Sequence, residues 1–174
     1  MRLTKIACVL AVASLLLMQG LPTSARGLEN WPYEKLMKES DLIVIANPTA
    51  VEDCSDKTSD NLWKIEFLGV NTTFKIEAVL KGKPAADSIK VLHFKLHDGQ
   101  LIGSGPLLVS FRLKPIRLDL KDAHVTLGAP EYMLFLKAGN DGRYEPVSGR
   151  IDPELSVREL YPPLPKEVER EEGK

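Results

Sequence analysis

Hydrophobic and polar positions along the chain predict a short helix, a run of strands and a last helix. Tyr33, Leu36, Met37 and Ser40 in "NWPYEKLMKES" recur at helical spacing. Asn30 can cap this helix, and Pro32 fits its first turn, where a missing N–H costs nothing. Glu34 and Lys38 stand at the ends the helix dipole favours. Leu42 to Ala46 is continuously apolar and reads as a strand buried on both faces, with Pro48 marking a bend or an edge. A polar loop around Cys54 follows. In "TTFKIEAVLKG", Phe74, Ile76, Ala78 and Leu80 alternate with Lys75, Glu77 and Val79, and Gly69 upstream marks a bulge or bend. "SIKVLHFKLHDG" alternates again, with Leu92, Phe94 and Leu96 on a core face and Val91, His93, Lys95 and His97 on a wet one. "GPLLVSFRL" reads as a further strand, and residues 114–130 as a charged loop with a strand fragment. "EYMLFLKAG" is a strand buried on both faces, and Asn140-Asp141-Gly142 turns it into "RYEPVSG", which Gly149 releases. Asp152 and Pro153 then suit the N-cap and first position of a closing helix that presents Val157, Leu160 and Tyr161 to the core. The fold class is mostly β. About five to seven strands with glycine bends favour a small closed barrel, flanked by a short N-terminal and a short C-terminal helix.

The ends of the chain change the picture. Arg2 and Lys5 precede the apolar run Ile6–Met18, and Thr23-Ser24-Ala25 offers small residues for cleavage. Residues 1–25 therefore read as a secretory signal peptide, and the run of roughly 13 residues is short for a spanning helix. Residues 26–161 form one expected barrel domain, and the charged stretch 162–174 is an expected disordered tail. The expected location is the periplasm or the extracellular space, with no membrane anchor after cleavage. Cleavage removes Arg2 and Lys5 and takes the formal charge from −1 to −3. That balance argues against a nucleic-acid binder, which needs a basic face to displace counterions. Cleavage also removes Cys8 and leaves Cys54 without a disulfide partner in its own chain.

Catalytic signatures are weak. His93 and His97 are four apart on one strand face, about 13 Å, too far to share a zinc ion. Ser148 in "PVSG" lacks the glycine pattern of a nucleophile elbow. Asp53, Asp56, Asp60, Asp119 and Asp122 read as solvating loop acids without a calcium-loop rhythm. "GQLIGSG" has no lysine or following helix to hold phosphate, and Asn71-Thr72-Thr73 is an acceptor sequon only in a eukaryotic secretory route. No cofactor is implied.

The segments "ESDLIVIANPTAVED", "TTFKIEAVLKGK" and "EYMLFLKAGNDGRYEPVSG" resemble bacterial exported proteins of the tissue-inhibitor-of-metalloproteinase-like, or netrin-like, OB-fold superfamily. The likeness spans Leu36 to about Leu160 and extends to the ending "PVSGRIDPELSVREL". It implies a five-stranded Greek-key barrel flanked by helices. Inhibition does not carry over, because those inhibitors chelate zinc through an N-terminal cysteine, and here Arg26-Gly27 would begin the mature chain. The function expected is a non-enzymatic binding module, monomeric, for a protein, glycan or small ligand. A small exported hydrolase or metal-dependent enzyme is the alternative. The candidate surface is Lys75, Glu77, Val91, His93 and Lys95, joined by Arg150 and Arg158. Gly69, Gly149, Asp152 and Pro153 carry structural roles.

Overall fold

The computed structural model describes residues 27, 29–60, 64–100, 102, 105–115, 117–120, 123–126 and 130–160. The expected signal peptide and charged tail lie outside them. The elements in order are α1 (Tyr33–Glu39), β1 (Leu42–Asp60), β2 (Ile65–Lys81), β3 (Ser88–Lys95), β4 (Arg117–Leu120), β5 (Ala123–Thr126), β6 (Glu131–Ala138), β7 (Tyr144–Pro146), a 3-10 turn (Pro153–Ser156) and β8 (Val157–Leu160). No helix among the described residues is long and apolar enough to cross a membrane.

The large sheet runs β1-β2-β3-β7-β6-β8, and β6 also pairs with β1. Five strands thus form a near-closed ring. All its ladders are antiparallel except β3–β7, which is parallel and rests on one register pair, Val91↔Tyr144. β7 and β8 share one side of β6: Tyr144–Pro146 pairs with its end and Val157–Leu160 with its start. Residues 147–156 are an excursion between two pieces of one strand position. β4 and β5 form a separate hairpin.

Alternation decides what fills the ring. Leu42, Val44, Ala46, Phe74, Ile89, Val91, Tyr132, Leu134, Leu136 and Val157 point inward and form the main core. Phe111 enters from the loop at residues 105–115 and meets Phe74 and Tyr132 edge-on, with centroids 4.8 and 5.1 Å away. Burying such a ring removes about 150–250 Å² from water, which secures the loop across the barrel. "GPLLVSFRL" is therefore an irregular plug and not a strand. Two smaller clusters cover the outside. Leu36 of α1 seals Ile43 and Phe135, while Phe67, Leu92 and Phe94 lie under Leu108 and Ile151. Of the predicted helix face only Leu36 and Ser40 are buried, whereas Tyr33 and Met37 are exposed. Pro32, not Asn30, holds the cap position.

Three further expectations change. Cys54 lies within β1, whose pairing with β2 continues to Asp60, so the polar stretch is strand and not loop. Val91 and His93 point into the barrel and are buried, not solvated, because the ring puts a core on both faces of β3. The closing helix is one 3-10 turn followed by β8. Asp152 holds the N-cap position with Pro153 following, but its side chain makes no cap bond; its Oδ1 accepts the Leu107 N–H at 3.1 Å, and the Glu154 N–H donates to the Leu107 carbonyl at 3.2 Å. The carboxylate is taken by a backbone N–H 45 positions earlier in the chain and not by the turn itself. Gly149 stands three residues past the end of β7, at φ +97° and with its N–H on the Pro146 carbonyl. Pro153 is buried beneath the turn, and Val157 reaches the core.

Candidate functional site

A bulge in β1 opposite Gly69 places a charged cluster. Between Asp53 and Lys57 the register of β1 slips, so that several β1 residues stand opposite Gly69 alone. A Cβ on Gly69 would meet Cys54 Sγ at 2.7 Å and Asp56 Cβ at 2.8 Å, so only glycine lets this bulge lie flat on β2. The bulge carries Asp56 toward the β6–β7 hairpin. There Arg143 Nη1 and Nη2 donate to the two Asp56 carboxylate oxygens at 2.8 and 3.0 Å. Arg143 Nε and Nη2 also donate to Asp141, and Nη1 to Asn71 Oδ1 at 3.0 Å. A guanidinium has five N–H donors, and all five of Arg143 are engaged. These bonds hold the Asp56 carboxyl at a pKa of about 2 and keep Asp141 below the usual carboxylate range. Arg143 is pushed further toward its charged form by Asp56 first and Asp141 second. Burial raises the Cys54 thiol, so it is not poised as a thiolate.

A second pair stands beside the first. Arg150 Nε and Nη2 donate to Glu145 at 2.9 and 2.7 Å, and its guanidinium lies 5.5 Å from the Phe94 ring centre. Glu145 raises the Arg150 pKa. Between these pairs opens a cleft of about 500 Å³. Leu92, Pro146 and Val147 give it apolar surface, and Lys137, Asn140, Asp141, Arg143 and Arg150 line it with polar groups.

The structure scatters the residues of the predicted surface. Lys75 pairs with Glu77 at 3.2 Å, both exposed. Lys95 pairs with Asp53 at 2.7 Å. Lys75 lies opposite Ser88 and Lys95 opposite Leu68, at the two ends of the β2–β3 ladder and about 23 Å apart. His93 Nε2 bonds the Thr72 hydroxyl at 2.8 Å, and its ring stands edge-on to Phe111 at 5.1 Å. Its Nδ1 has no partner in hydrogen-bonding geometry, and burial lowers its pKa to about 4 although the Val109 backbone favours the cation. Arg158 donates to the Leu155 and Val157 carbonyls and stacks 5.7 Å from Tyr33, a clamp on the 3-10 turn. Only Arg150 of the predicted set lines the cleft. Lys137, Arg143 and Asp56 were missed, although Gly69 opposite a polar run of β1 was a readable sign that this run bulges.

Ser148 is spent inside the excursion. Its hydroxyl donates to the Asp152 carbonyl at 2.7 Å and bonds Ser156 Oγ, and its N–H donates to Ser156 Oγ at 2.7 Å. His97 lies 3.8 Å from Glu66. Among the described residues no group of three or more His, Cys, Asp or Glu side chains could hold a metal ion. The side chains of Asp119, Asp122 and His124 lie outside the description. Comparisons of the chain with family models, curated proteins and solved structures find no match.

Proposed function

We propose that the chain is an exported, non-enzymatic binding module on a Greek-key barrel of the OB type, and that the cleft beside Arg143 and Arg150 is where it binds. The ring order, with β1 closing on β6 and a single parallel contact between β3 and β7, supports the OB reading. Barrels of that type bind on the face of their second and third strands and on the adjoining loops. The cleft sits against Leu92 of β3, beside the β6–β7 hairpin and the bulged arm of β1. The observation that carries the proposal is the contrast inside this cleft. One arginine is saturated and fixes the wall, while other polar groups of the same cleft keep unused donors. Rigid walls lower the ordering cost of binding. The amino-terminal pattern at residues 1–25 supports export.

Amide spectra of the mature chain, titrated with a panel of neutral and acidic mono- and disaccharides and small organic acids, test this. Shift changes confined to residues 54–56, 92 and 137–150 are expected. Changes spread elsewhere, or steady turnover of a generic ester that is lost in Ser148→Ala, would overturn it.

A further inference from the structure

We infer that the cleft is built for a carboxylate-bearing sugar, with Lys137 and Arg150 taking the carboxylate. The inference rests on the cleft being the binding site proposed above. Arg150 gives two of its five N–H groups to Glu145, which leaves three without a protein acceptor among the described residues. Lys137 is exposed, stands opposite Glu145 in the β6–β7 ladder and makes no hydrogen bond or ion pair among the described residues. Glu145 is already held by Arg150 through both oxygens. Two cationic groups with spare donors therefore border one cleft, and the acids nearest them, Asp56, Asp141 and Glu145, are committed to arginines. An incoming carboxylate meets donors that need no partner displaced, and charge-assisted bonds of this kind are the strong ones.

The rest of the cleft selects what carries that carboxylate. Half-buried Val147 is the apolar side chain placed to meet the C–H face of a pyranose ring, with Leu92 and Pro146 buried behind it. Asn140 supplies both a donor and an acceptor, and the carboxylate oxygens of Asp141 have further lone pairs for hydroxyl donors. A volume of about 500 Å³ falls within the range of small-ligand sites and admits a single ring with room for water. An aromatic acid would leave Asn140 without a hydroxyl partner, and a bare oxyanion would leave both Asn140 and Val147 without contact.

The test is a calorimetric and amide-shift titration of the mature chain with four probes: galacturonate, galactose, acetate and inorganic phosphate. Galacturonate is expected to bind more tightly than any of the others, and to weaken as salt is raised. Lys137→Ala and Arg150→Ala should each weaken galacturonate about tenfold or more and leave galactose unchanged. Lys137 is exposed, so its removal cannot be mistaken for unfolding, and Lys95→Ala, outside the cleft, should bind as the natural chain does. Galactose binding as tightly as galacturonate removes the carboxylate contact and leaves the binding module standing. Phosphate or acetate binding as tightly removes the sugar. No response at the cleft to any probe overturns the inference, while the wider panel decides the module itself.

Discussion

Replacing Asp56 by Asn tests whether the β1 bulge is fastened by charge. Arg143 grips the Asp56 carboxylate through two N–H···O bonds of 2.8 and 3.0 Å across 87 residues of chain. The carboxyl falls from 3.8 to about 2, chiefly because of those bonds. A depression of that size would contribute roughly 2.4 kcal/mol if it were unscreened. Asp56 keeps 36% of its side-chain exposure, so solvent screening reduces this to about 1 kcal/mol. The sign follows from linkage: the folded state binds this proton less readily than the unfolded one. The stabilisation is therefore complete above about pH 4 and is lost as pH falls through about 2. Urea unfolding of the natural chain and of Asp56→Asn, repeated at pH values between about 7 and 2, is the assay. The natural chain should be about 1 kcal/mol more stable down to about pH 4, and the gap should shrink below that. Asp141 shares Arg143 with Asp56, so the same comparison in an Asp141→Asn background separates the two carboxylates. A gap that stays constant to about pH 2, or that is missing at neutral pH, would refute a charge-dependent fastening.

Gly69→Ala should cost about 1–3 kcal/mol, seen as a lower thermal midpoint, because its Cβ meets Cys54 Sγ at 2.7 Å and the Asp56 carbonyl at 2.8 Å. His93 should stay neutral to about pH 4 in an NMR titration of its ring protons, since burial outweighs the Val109 backbone. Because its pKa is lowered on folding, the chain should lose stability as pH falls from about 6.5 toward 4, and His93→Phe should blunt that loss.

Local signals of period and turn chemistry were legible in the sequence where one element decides its own fate. The doubly buried strands around Val44 and Leu134, the Gly142 turn at φ +82° and the irregularity opposite Gly69 follow from apolar runs and glycine positions. Features that depend on a distant partner were not. His93 alternates with Leu92 as a wet position should, yet the ring encloses that side, and Phe111 from the plug closes over it. Asp152-Pro153 carries a good helix start, but β6 offers Val157–Leu160 an unpaired edge, and ladder bonds win over helix propensity. The cleft shows the same division. Arg150 stood out by its neighbours in the chain, whereas Asp56 and Arg143 become a pair only when the bulge and the hairpin meet.

The β1–β6 ladder joins Leu42 to Leu136, 94 positions along the chain, whereas the β1–β2 ladder reaches the pair Asp60↔Ile65, only five positions apart. The hairpin can form at small entropic cost, but the ring closes only when β6 returns over that distance. Contacts of such separation place folding toward the slow end for small domains. Until β6 arrives, the apolar edge of β1 from Leu42 to Ala46 is open to other chains. Newly made chains are expected to aggregate more readily the longer they spend in that open form.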